Sequence, residues 1–438
     1  MVDPDPHFKI EGQFYQTMTV PTANEDSKPV IFELKAIKEG SAKVKLEFFQ
    51  TSYLGELILS TNVVLAYPEA DISSAQSIAH EFELIRKMIH DSSDVTLIIF
   101  QTESYPKGKY DVIFDSEKYG VIFTGSMSLE YEPDSKFHHI FEDIVNTSLS
   151  ANEIEDRITN IGLSLYDELV PKDLKELYWK IRDDIKSIQI FSKEPWIPWE
   201  IIKPWRRLDN GAPEEDEFLC EQFIFSRWLI GTKKEKKEKI MKAKVVVPAD
   251  SKLKNVIVER DWIVQFLENR ETDVSVDSSY EEVRDTLKTE GYDLIHFSGH
   301  GKHVKGMPLY SVIELEGGSE IRPDSISGLA TRFGVSHPIV FLNSCQSGAQ
   351  GFSLTGVQSW VRKFLDSGAS AFLGTLWSVS DETALRFTQE LYAELSNGIT
   401  IGEAVRTARK KCKKFGDPSW LAYEFYGQPN IKITFKNK

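Results

Sequence analysis

Over the first third of the chain, apolar and polar residues alternate with a period of two. The runs 30–36, 42–49, 56–64, 95–100 and 110–115 carry this pattern and end at turn signals such as Lys38-Glu39-Gly40 and Gly55. One helical stretch, 74–90, interrupts them. Several short strands separated by turns predict a β-rich, sandwich-like domain over residues 1–133, bounded by Glu132-Pro133-Asp134-Ser135. From 137 to about 190 the period changes to that of a helix, with Leu163, Leu165 and Leu169 and then Leu174, Leu177 and Ile181 on recurring faces. The cluster Trp196-Ile197-Pro198-Trp199-Glu200-Ile201-Ile202, followed by Pro204 and Trp205, predicts packed core, because large aromatics dominate core energetics. Residues 134–240 therefore form a helical and mixed second region. The run Lys233-Lys234-Glu235-Lys236-Lys237-Glu238-Lys239 near its end is a solvated loop or, on a sharper reading, a protease-sensitive linker.

From 241 to 438 strands alternate with helices. Strands are predicted at 242–247, 272–276, 293–298, 339–343 and 370–376, and helices at 258–269, 279–289, 324–333, 354–366, 381–396 and 401–413. Ser279 and Glu282 make a capping box, and Gly368 ends the 354–366 helix. Such alternation predicts an α/β fold, a mostly parallel sheet with helices on both faces. Parallel strands align their C-terminal ends along one sheet edge, where ligand crevices form.

Two of the predicted strands run out in chemistry. Tyr292-Asp293-Leu294-Ile295-His296-Phe297-Ser298 breaks into Gly299-His300-Gly301, and Pro338-Ile339-Val340-Phe341-Leu342-Asn343-Ser344 breaks at Cys345. A thiol attacks as the thiolate, and a neighbouring imidazole takes its proton. His300 and Cys345 are thus a candidate base and nucleophile. The developing oxyanion needs N–H donors, for which the amides of Gly301 and Cys345 are the natural pair. His296 lies on the His300 side of its strand by alternation and is read as a packed or orienting residue. The loop 302–306, which holds His303, and the hairpin 311–317 are candidates to cover the cleft.

Composition narrows the picture. The 438 residues are 41% hydrophobic, enough for sizeable cores. A net charge of −15 argues against direct nucleic-acid binding. Cys220, Cys345 and Cys412 are sparse and odd in number, with no Cys-x-x-Cys zinc spacing, so neither a disulfide framework, a metal nor any other cofactor is expected. No membrane span or signal peptide is expected, and a cytoplasmic setting keeps a thiol reduced.

The motifs together resemble the CHAT domain, a caspase-like cysteine peptidase family related to separases. His296-Phe297-Ser298-Gly299-His300-Gly301 resembles its histidine motif and Leu342-Asn343-Ser344-Cys345-Gln346-Ser347-Gly348 its cysteine motif. Phe364-Leu365-Asp366-Ser367-Gly368-Ala369, Gly374-Thr375-Leu376-Trp377-Ser378-Val379-Ser380-Asp381 and Phe425-Tyr426-Gly427-Gln428-Pro429 resemble its later segments, and Ile197-Pro198-Trp199-Glu200-Ile201 resembles the segment that precedes the core. The resemblance runs from about 150 to 435 and leaves the N-terminal domain uncovered. It implies a Cys345–His300 dyad that cleaves a protein substrate through an acyl-enzyme. It also implies a sensing or docking role for residues 1–133, toward an activating or inhibitory protein partner, as in bacterial antiviral defence or regulated proteolysis. Related metacaspases carry an acidic pocket residue two positions before the cysteine, where this chain has Asn343. Asp381 matches the separase aspartate that contacts a P1 arginine, so Asn343 and Asp381 are the candidate S1 residues. As an alternative, Asp381 simply caps a helix. Two other functions stay open, a non-catalytic interaction scaffold and acyl or amide transfer by the same thioester chemistry.

Overall fold

The computed structural model describes residues 2–4, 8–11, 33–37, 40–50, 53–63, 93–103, 108–116, 121–129, 140, 150–192, 197–229, 235–302, 312–330, 332–345, 357–377 and 379–436. The predicted 74–90 helix, most of the 302–306 loop, and Gln346 to Gly348 lie outside them. The chain forms two compact units, Met1–Asp91 and Ser92–Lys438. The first contains β1 (Val2–Pro4), β2 (Phe8–Glu11), β3 (Glu33–Ala36), β4 (Gly40–Gln50) and β5 (Tyr53–Val63). There β4 and β5 pair antiparallel over their full lengths, β1 pairs with β4, and β2 pairs with β3.

The second unit opens with β6 (Val95–Glu103), β7 (Gly108–Ser116) and β8 (Val121–Leu129), then α1 (Ala151–Leu169), α2 (Lys172–Ile181) and β9 (Ser187–Ser192). A hairpin of β10 (Trp205–Arg207) and β11 (Pro213–Glu215) precedes β12 (Ile224–Leu229) and β13 (Lys239–Ile240). The alternating region supplies β14 (Lys242–Val246), α3 (Lys254–Glu268), β15 (Asp273–Asp277), α4 (Tyr280–Lys288), β16 (Leu294–Lys302), β17 (Val312–Glu314), β18 (Glu320–Ile321) and β19 (Ile339–Cys345). It closes with α5 (Val357–Asp366), β20 (Ala371–Thr375), α6 (Asp381–Ser396), α7 (Ile401–Lys413), β21 (Tyr423–Tyr426) and β22 (Thr434–Phe435).

Among the described residues, one sheet of 13 strands runs β15-β14-β16-β19-β20-β21-β12-β9-β6-β7-β8, with β17 and β18 branching from β16. Its central strands are mostly apolar because both faces are covered, with a few buried polar residues such as His296, Asn343 and Glu424 among them. Phe297 and Phe372 point to one face, where they meet Phe364 of α5. His296 and Phe341 point to the other, against Tyr392 and Phe387 of α6. The expected mostly parallel sheet with helices on both faces is therefore present. Ser279 caps α4 in the predicted capping box with Glu282. After α5, Gly368 turns the chain at φ 105°, and an added Cβ would meet Gly334 backbone at 2.7 Å, so only glycine fits.

The domain boundary differs from expectation. The strands 95–129, read as part of the N-terminal β-rich domain, belong to the second unit. There β6 pairs in parallel with β9, and β7 and β8 follow as an antiparallel meander. Local alternation marks a strand but carries no information about which sheet it joins. Two more strands, β9 and β12, fall in stretches read as helical or mixed. They are six residues each and buried on almost every residue, so they show no alternation.

The two parallel blocks meet where β20 and β21 pair antiparallel. Beside that junction, Arg227 of β12 is 3% exposed and donates to Glu200 from Nε (2.8 Å) and from Nη2. The same Nη2 lies 2.9 Å from Glu424 Oε1 and donates to the Ile197 carbonyl at 2.8 Å. The Trp-Glu cluster read as packed core thus also supplies a buried carboxylate. Burial pushes the Glu424 carboxyl up to about 8, against the pull of Arg227 and with reinforcement from Glu200. A carboxyl raised above its unfolded value stabilises the fold at low pH, and that contribution drains away as pH climbs toward the folded value. Glu424→Gln should therefore flatten the decline in stability between pH 5 and 8 by up to about 1.4 kcal/mol per pH unit. Urea denaturation of both proteins across that range measures it, and parallel curves would rule the titration out.

Candidate active site

In β16 and β19 the parallel register runs Leu294↔Ile339 through Ser298↔Asn343 to His300↔Cys345. The two residues singled out by sequence are thus direct partners across adjacent strands, at the last rung of the ladder. Cys345 is the final residue of β19, but β16 does not stop at His300. From Gly301 it switches partner and pairs antiparallel with β17, Gly301↔Ile313 and Lys302↔Val312. The expected strand end at His300 is a change of ladder, which leaves His300 half-buried where the two strands part. Gly299 passes close to Pro248, where an added Cβ would stand 3.3 Å from the ring.

Asp381 is the first residue of α6, behind Ser380 as N-cap. Its Oδ2 accepts from the backbone N–H of Asn255 in the first turn of α3, at 3.2 Å. Its Oδ1 is buried and has no hydrogen-bond partner among the described residues. Burial pushes the Asp381 carboxyl up from its ordinary value. The Asn255 N–H and the charge of His300 act downward, and Glu259 acts upward. Asp381 therefore does cap a helix terminus, but a foreign one, and it retains an oxygen free to accept.

Asn343, the other S1 candidate, lies beneath the strand ends. It is fully buried, and Nδ2 donates to Glu259 Oε1 (2.8 Å), the Ala384 carbonyl (3.2 Å) and Thr388 Oγ1 (3.1 Å). Its Oδ1 accepts from Tyr423 at 3.1 Å. With both ends of the amide occupied, it presents no surface to a substrate. His296, read as packed or orienting, is buried, with Nε2 2.9 Å from Glu259 Oε1 and Nδ1 3.1 Å from the Tyr392 hydroxyl.

Glu259 was absent from the sequence reading. Its clue is positional: it occupies the buried stripe of α3 together with Val256, Ile263, Phe266 and Leu267. A charged residue on a core stripe requires paired groups around it. Cys220 and Cys412 are buried, and burial pushes both thiols up to about 12, which leaves them protonated and unreactive at neutral pH. No described helix is long and apolar enough to cross a membrane.

The CHAT domain family model matches residues 197–421, just over half of the chain. This protein belongs to the CHAT domain family. Among solved structures, a chain of the Saccharomyces cerevisiae separase–securin complex is similar over 80% of this chain, at 12% identity and a TM-score of 0.48. This chain spans 31% of that one. The Arg-specific cysteine proteinase gingipain R is similar over 69% of this CHAT protein and 74% of its own length, at 14% identity and a TM-score of 0.39. The complex of Porphyromonas gingivalis RgpB pro- and mature domains gives 68% and 77%, at 12% identity and a TM-score of 0.39. No curated protein matches the chain.

Proposed function

We propose that this CHAT protein is a caspase-like cysteine endopeptidase with Cys345 as nucleophile and His300 as general base. The observation that carries the reading is the register pair His300↔Cys345 at the end of a parallel ladder. Adjacent strands lie roughly 4.8 Å apart, so this register sets the two backbone positions side by side. The thiol proton passes to the His300 imidazole, and the thiolate attacks the substrate carbonyl carbon. The tetrahedral oxyanion takes N–H bonds from Gly301 and Cys345. As the C–N bond breaks, the imidazolium protonates the leaving amine. Water, deprotonated by His300, then hydrolyses the thioester and restores the thiol.

Asp381 supplies the P1 preference. A partly buried carboxylate with an unpartnered oxygen, within the field of His300, suits an arginine or lysine side chain. With Asn343 buried below, Asp381 is the one of the two S1 candidates left for basic selection. Residues 1–91 and a protein partner regulate the enzyme, in a defence or regulated-proteolysis system. Cleavage-site profiling of the full chain on a peptide library, with Cys345→Ala as control and with candidate partners added, tests the function. Absence of any Cys345-dependent cleavage under all those conditions defeats it. Asp381→Asn should lower kcat/KM for P1-Arg peptides about thirtyfold, about 2 kcal/mol, while P1-Ala peptides change little. An equal loss on both substrates would remove Asp381 from the pocket.

A further inference from the structure

We propose that Glu259 is the positioning residue of this site: its buried carboxylate holds the ends of β16 and β19 in the register that sets His300 opposite Cys345. The inference rests on the proposed dyad. Ser298 and Asn343 are themselves register partners, two residues before the His300↔Cys345 pair. Both donate to the one carboxylate, Ser298 Oγ to Oε2 at 2.7 Å and Asn343 Nδ2 to Oε1 at 2.8 Å. A slip of either strand by one residue would turn its donor to the opposite face and break that bond.

Oε1 also receives the Thr388 hydroxyl at 2.7 Å and contacts His296 Nε2 at 2.9 Å. The carboxylate therefore joins four elements, α3, β16, β19 and α6, and α6 begins at Asp381. Glu259 is 1% exposed, so water does not substitute for these groups. Three of these groups meet at Oε1 and one at Oε2. A glutamine in its place keeps one acceptor oxygen and turns two N–H groups toward donors. Stability alone does not call for this arrangement, since well-packed apolar residues are often as stabilising as buried charges. What the carboxylate adds is a defined geometry just beneath the reacting pair.

Alkylation of Cys345 in the full-length protein by iodoacetamide, resolved by peptide mass spectrometry, needs no knowledge of the substrate. Rates are measured for wild type, His300→Ala, Glu259→Gln, Ser298→Ala and Ser298→Thr, each well below its own Tm. His300→Ala should slow labelling at least about tenfold by removing the proton acceptor. Glu259→Gln should slow it about tenfold to a hundredfold, the scale of a misplacement near 1 Å, and Ser298→Ala about fivefold. Ser298→Thr keeps the hydroxyl and should restore the wild-type rate. If His300→Ala leaves the rate unchanged, the proposed dyad falls, whatever Glu259 does. Should His300→Ala slow labelling while Glu259→Gln and Ser298→Ala lower only Tm, the dyad stands and the positioning role is overturned. A Glu259→Gln protein that fails to fold leaves the decision to the two Ser298 variants.

Discussion

Replacing Cys345 by alanine should lower the proposed peptide cleavage by a factor on the order of 10⁴ or more, with little change in Tm. Alanine keeps the strand position and deletes only the sulfur, so no covalent acyl-enzyme forms. His300→Ala should fall nearly as far, because a thiol without a proton acceptor attacks poorly at neutral pH. The double variant should be no worse than either single one, since base and nucleophile act as a unit. Turnover of a fluorogenic P1-Arg peptide, with chemical denaturation as a folding control, measures all three. Cys345→Ala also separates the other functions. Equal biological effect of wild type and variant would favour an interaction scaffold. An acyl fragment recovered on an added amine rather than as a free acid would favour transfer.

The largest expected effect on stability lies away from the dyad, at Arg227. Arg227→Met keeps most of the apolar stem but removes the guanidinium that bridges Glu200 and Glu424, leaving the weaker pull of Arg409 on Glu424. Both carboxylates are fully buried, so neither is screened by solvent. Breaking a buried ion pair by removing one partner costs about 3–5 kcal/mol, far above the cost of losing a surface pair. Urea denaturation at pH 9, above the value of about 8 to which burial pushes the Glu424 carboxyl, should show that loss. Part of it should return at pH 6, where Glu424 holds a proton and the repulsion disappears. A loss below about 1 kcal/mol, or one indifferent to pH, would mean that Arg227 contributes packing rather than charge. The expected damage extends past the local bonds, because Glu424 lies on the β21 strand that joins the two parallel blocks.

How much was legible in the chain depends on the range of the interaction that decides each feature. The α/β alternation after residue 241 could be read directly, because helix and strand periods are local properties of the residues. The same holds for the capping box at Ser279 and for the glycine turn at Gly368. The candidates His300 and Cys345 stood out because each closes an apolar run, a pattern visible within ten residues. β9 and β12 were missed for the converse reason: fully buried short strands carry no period of their own. The origin of β6, β7 and β8 was misjudged because β6 pairs with β9 across roughly ninety residues of chain, and loop closure on that scale leaves no local mark.

The chain by itself thus determined the element types, the family resemblance and the two residues on which the proposed chemistry rests. Only tertiary structure decided that His300 and Cys345 occupy one rung, that Asn343 lies buried beneath it, and that Asp381 keeps an unpartnered oxygen among the described residues. It alone exposed Glu259, 41 residues before His300, as the group to which both strands donate. Register, burial and the partners of a buried charge are set by what packs against a residue, and a linear sequence does not specify those neighbours until the sheet has closed.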